Sequence, residues 1–101
     1  MSTPSLEKVA ENTFSVSGEL NMQTVPAISR MANGQLMGLQ GEVSIDLSAV
    51  SRADSAGLAL LIDWLRIAKQ HQYTIAFRNL PTQLLQIAAV SELEDILPIK
   101  S

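Results

Sequence analysis

Several groups of residues in this chain have side chains able to carry chemistry, and their spacing decides what each can do. His71 is the sole histidine. It stands between Gln70 and Gln72, with no Ser or Asp at the spacing of a nucleophile–base arrangement, and the expectation is a cation closing a helix C-terminus. Asp46, Asp54 and Asp63 are the carboxylates that an acid–base pair or a metal would need. They fall on a strand, a helix start and a helix body with no ligand spacing between them, so capping or solvated carboxylates are expected, and no metal site. Gly34, Gly38 and Gly41 lack both the Lys-Ser/Thr ending of a phosphate loop and the preceding strand of a dinucleotide fingerprint. They are expected to loosen the end of a helix. Cysteine is absent, which removes disulfides, thiol catalysis and thiolate ligands and fits a reducing compartment. These residues give no support to a catalytic centre or a cofactor site.

What remains is the run Asp54-Ser55-Ala56-Gly57. A carboxylate and a hydroxyl ahead of an apolar helix accept the free N–H groups of its first turn, so Asp54 reads as an N-cap. Arg52 and Ser51 precede it, and Arg52 is either a polar contact for a docked molecule or an ordinary solvated loop charge.

The elements that must position this turn follow from periodicity. Phe14, Val16 and Gly18 alternate with Ser15, Ser17 and Glu19 as a half-buried strand, with a shorter strand expected before it over residues 6–10. Thr24-Val25-Pro26 opens a helix, with Thr24 as its hydroxyl cap. Val25, Ile28, Ala32, Leu36 and Leu39 keep helical spacing, and Asn33-Gly34 is expected to bend or stop it. Val43, Ile45 and Leu47 form the clearest strand, left by a loop over residues 48–54. A second helix is expected over residues 55–71 and a strand over 73–77. A third helix opens after Asn79-Leu80-Pro81-Thr82, and a final short one holds Leu93, Ile96 and Leu97. This order predicts an α/β fold, a mixed sheet of four or five strands with helices mainly on one face, in which a right-handed crossover joins the parallel strands over residues 43–47 and 73–77.

Size and charge set the remaining bounds. The 101 residues suit one domain spanning the whole chain, 1–101. A net charge of −3 with seven dispersed Lys and Arg offers no basic stripe, so nucleic acid is not the expected partner. The opening Met1-Ser2-Thr3-Pro4-Ser5 has no positive charge and no apolar run behind it, so no leader peptide is expected. The longest apolar stretch, Leu58 to Ile62, is far short of the ~18 residues of a membrane span, so no direct insertion is expected.

The run Ile45-Asp46-Leu47-Ser48, Val50 and Asp54-Ser55-Ala56-Gly57-Leu58-Ala59-Leu60-Leu61 resembles the central motif of STAS domains, the family of anti-sigma factor antagonists and transporter-associated modules. Gly18-Glu19-Leu20, the Asn79-Leu80-Pro81 turn and the element order extend the resemblance to nearly the whole chain. It implies the STAS fold and a protein that works by binding a partner. In the anti-sigma factor antagonists a second hydroxyl residue after the Asp is phosphorylated by a partner kinase. That position is Ala56 here, which has no oxygen to accept a phosphoryl group, leaving Ser55 as the substitute acceptor. The order Ser55-Ala56-Gly57-Leu58-Ala59-Leu60-Leu61 is instead similar to the STAS subunits of phospholipid-trafficking ABC transporters in Gram-negative bacteria. That resemblance implies a small cytoplasmic subunit, peripheral to the inner membrane through its complex, which docks on the transporter's ATPase and does not bind ATP. An anti-sigma factor antagonist regulated by a kinase is the alternative.

The second helix supplies an independent physical argument. Leu58, Leu61, Ile62, Leu65 and Ala68 form one apolar stripe opposite Asp63, Arg66 and Gln70, and Leu60, Trp64 and Ile67 widen it beyond one sheet face at ~100° per residue. Either the extra residues pack on a neighbouring helix, or Trp64 is exposed and anchors a partner. The residues expected to meet a partner are therefore Arg52, Asp54, Ser55, Ala56, Gly57, Leu58 and Trp64.

Overall fold

The computed structural model describes residues 3–93 and 95–100. Along the chain run β1 (Ser5–Ala10), β2 (Thr13–Leu20), α1 (Val25–Gln35), β3 (Glu42–Ala53), α2 (Ser55–Gln70), β4 (Thr74–Arg78), α3 (Thr82–Val90) and β5 (Ile99–Lys100). The strands lie in sequence order, β1 antiparallel to β2 and the remaining neighbours parallel. Each of the three parallel crossovers steps the same way across the sheet, so right-handed connections place α1, α2 and α3 on one face. The strands' apolar alternates, Phe14, Val16, Leu20, Val43, Ile45, Leu47, Ile75 and Phe77, are all buried there against Ile28, Ala32, Leu61, Leu84 and Ala88. The other set, Ser15, Ser17, Ser44 and Asp46, is half-buried on the opposite face.

The expected loop over residues 48–54 is largely strand. β3 continues to Ala53 because it carries two extra residues against β2: Ser15 and Ser17 pair with Asp46 and Ala49, and Gly18 and Glu19 with Val50 and Arg52. Each is a bulge, which breaks strict alternation and increases twist. Consecutive exposed residues Ser48 and Ala49 imitate a loop in the sequence.

Two further expectations change. Residues 91–93 and 95–97 form turns instead of a helix, and Ile99–Lys100 adds a short strand at the edge of β4; position 94 lies outside the described residues. α1 runs through Asn33-Gly34 and ends at Gln35, with Leu36 as its C-cap, so Leu39 lies beyond it. Thr24 does not cap with its side chain. Its hydroxyl donates to Glu19 C=O at 2.6 Å, while Asn21 Oδ1 accepts from Gln23 and Thr24 N–H at 2.9 and 3.0 Å.

Candidate docking site

The Asp54 turn is assembled from the C-terminal ends of β2 and β3 and the N-terminal ends of α2 and α3. Asp54 has an extended backbone (φ −123°, ψ −163°), and its Oδ1 accepts from Ala56 N–H at 2.8 Å, so it is the N-cap of α2. Its own N–H donates to Leu20 C=O at 3.1 Å, tying the cap to the end of β2. A cap of this kind stabilises a helix by ~1 kcal/mol. The Asp54 side chain is therefore engaged in structure, yet the residue remains exposed.

Gly57 sits where α2 comes nearest its neighbours. A Cβ at this position would lie 3.0 Å from Leu20 Cβ and 3.4 Å from Leu84 Cδ2. Glycine lets the helix start press onto β2 and α3 together, which seats the turn between them. Gly57 and Leu58 are buried, so both support the turn from beneath.

Trp64 does not meet the condition for an exposed anchor. It is 1% exposed, as buried as Leu61 and Leu60 beside it, and α2 packs between α1 and α3. The widened apolar arc is accounted for by helices on both flanks as well as the sheet beneath. The outward side of α2 instead carries Ser55, Ala59 and Arg66 exposed, with Ala56, Ile62 and Asp63 half-buried. Arg66 pairs with Asp63 at 3.2 Å. The surface round the turn thus consists of Arg52, Asp54, Ser55, Ala56 and Ala59.

Beside the turn lies an open hollow of about 300 Å³, lined by Glu19, Leu20, Asn21, Arg52, Ala53, Asp54 and Gln83. Asn21 Nδ2 donates to Glu19 Oε2 at 3.2 Å, fixing one carboxylate at its rim. Gln83 Oε1 accepts from Ala53 N–H at 3.1 Å. The Arg52 guanidinium has no ion-pair partner among the described residues. Glu19 lies in the Gly18-Glu19-Leu20 run, but Asn21 and Gln83 carry no sequence pattern that would have selected them, because the meeting of β2, β3 and α3 brings them to the turn.

The other residues considered for chemistry do not converge. His71 is the exposed C-cap of α2, its N–H donating to Ile67 C=O at 3.0 Å, while the N–H of Gln72 donates to Lys69 C=O. Asp46 Oδ1 accepts from Asn79 Nδ2 at 3.0 Å and from Ser48 N–H at 2.9 Å, and its Oδ2 accepts from Ser48 Oγ at 3.1 Å. Chiefly through the Asn79 amide, aided by Ser48 and the Arg78 charge and opposed by burial, its carboxyl is held below the usual carboxylate range. Asp46 is a staple between β3 and the end of β4. No group of three or more potential metal ligands occurs among the described residues.

A mixed sheet in sequence order, helices on one face, and an Asp-capped second helix projecting from the end of the central strand together define a STAS-type domain. Solved structures agree in fold: a STAS domain protein of Planctomyces limnophilus (TM-score 0.76, 18% identity, 99% of this chain and 92% of that one), and an anti-sigma factor antagonist of Mycobacterium paratuberculosis (TM-score 0.76, 23% identity, 96% and 83%). The family model described as "Mlab, STAS domain" matches residues 7–98, and the chain belongs to that family. It is 31% identical over 88 residues to the intermembrane phospholipid transport system binding protein MlaB of Escherichia coli, covering 86% of this chain and 88% of the relative. No helix among the described residues is long and apolar enough to cross a membrane.

Proposed function

We propose that this chain is a non-catalytic, cytoplasmic subunit of an intermembrane phospholipid transport system, docking on the system's MlaF-like ATPase and supporting its work with the permease in maintaining outer-membrane lipid asymmetry. The docking surface is the Asp54 turn: Arg52, Asp54, Ser55 and Ala56 at the front, with Ala59 continuing it along α2. Gly57 and Leu58 act from below by holding the turn in place.

The observation that carries this reading is a pairing of likeness and difference. The chain shares 31% identity over 88 residues with a protein named for binding in phospholipid transport, while Ala56 offers no oxygen where a phospho-switched antagonist needs one. The exposed surface of the turn is small and mixed in polarity, as suits contact with a protein and not a lipid acyl chain. The test is co-purification of the full chain with the ATPase of its own transport system, before and after Ser55→Arg. Loss of the complex with the fold retained supports the surface, and an unchanged complex contradicts it.

A further inference from the structure

The last N–H of β3 before the turn has an unusual partner. In a parallel ladder, successive peptide groups face alternate neighbours. Asp54 N–H reaches Leu20 C=O on the β2 side, so Ala53 N–H faces the other way. On that side β4 has already ended, its final residue Arg78 paired with Asp46. A strand edge without a neighbour leaves a donor to be met by a side chain or by water.

Gln83 meets it. The residue lies in the first turn of α3, a helix whose N-cap is Pro81 and which has no side-chain cap of its own. Its amide oxygen spans 30 positions of sequence to accept from Ala53 N–H at 3.1 Å. The bond lies at the wall of the hollow, directly between Arg52 and Asp54 in the chain. It therefore fixes the Arg52–Ala53 peptide, next to the peptide whose Asp54 N–H is held by Leu20.

We infer that Gln83 is a positioning residue for docking: it latches the end of β3 to α3 and so presents Arg52 and Asp54 in the orientation the partner meets. This rests on the docking function proposed above. The bond is exposed, so water can replace it at small cost to the fold, whereas among the described residues no other side chain hydrogen-bonds the Ala53 N–H.

The test uses the ¹⁵N-labelled full chain and its purified cognate ATPase, with Gln83→Leu and Gln83→Glu. Gln83→Leu is expected to speed amide exchange at Ala53 by about tenfold and weaken the complex by about tenfold, with little change in melting temperature. Gln83→Glu keeps an acceptor oxygen and is expected to stay within about threefold of the wild type in both. Unchanged Ala53 exchange in Gln83→Leu would overturn the latch, and faster exchange with undiminished binding would overturn its role in docking. Failure of the wild type to bind the ATPase would overturn the docking function itself, while Ala53 exchange would still decide whether Gln83 holds the turn.

Discussion

Gly57 and Leu20 lie so close that a Cβ on the glycine would stand 3.0 Å from the Cβ of the leucine. Leu20 is fully buried at the end of β2, and the same Cβ would also stand 3.4 Å from Leu84 Cδ2. Gly57→Ala is therefore expected to destabilise the protein by ~1–3 kcal/mol, the usual range for overpacking a filled site. Chemical denaturation checks this: a midpoint equal to or above the wild type's would show that the three elements do not meet as tightly as described.

Trp64 gives a second prediction, which separates core from interface. The sole tryptophan is buried with Leu60 and Leu61, so Trp64→Ala is expected to cost ~3–5 kcal/mol. That is a large share of the ~5–15 kcal/mol typical of whole domains. In the wild type, acrylamide should quench its fluorescence poorly both alone and with the partner bound. Strong quenching in the free chain would return Trp64 to the surface.

The Asp46–Asn79 contact predicts a pH dependence. Asn79 has a positive φ of 58°, so Asn79→Gly removes the amide while tolerating the backbone. The folded Asp46 carboxyl is held below its ordinary range, which lies near ~3.9 in an unfolded chain. Stability from this contact is then fully present above that value and is lost as pH falls through the lower folded pKa. The gap between wild type and Asn79→Gly should be constant near neutrality and should narrow in acid. A gap that widens in acid contradicts the assignment.

The sheet was legible in the sequence wherever alternation was clean, as at Phe14, Val16, Val43, Ile45 and Leu47, and so was the start of α2, where Asp54 and the apolar run behind it agree. The C-terminal half of β3 was not, because the first bulge, between Asp46 and Ala49, puts Ala49 and Val50 out of phase with Leu47, and the second, between Val50 and Arg52, breaks the alternation again. Thr24 has the right type for a cap, yet its hydroxyl turns back to Glu19 and Asn21 takes over, a choice set by the approach of β2. Trp64 and Leu60 occupy positions that helical geometry places on the flank. Only the presence of α1 and α3 on either side decides that such a flank is buried. Gln83 illustrates the same limit: its partner lies on another strand, and local spacing carries no trace of it.

In the function proposed above, the ATPase docks on the outward side of the Asp54 turn. Leu58 is 4% exposed, so a charge there would test folding more than binding. Ser55→Arg and Ala59→Arg change only exposed positions and are the direct probes. Equilibrium binding of each variant to the purified cognate ATPase, with the native circular dichroism spectrum retained, is the decisive measurement. Each substitution is expected to weaken binding by at least about tenfold, corresponding to ~1.4 kcal/mol; two folded variants that bind as tightly as the wild type would contradict the account.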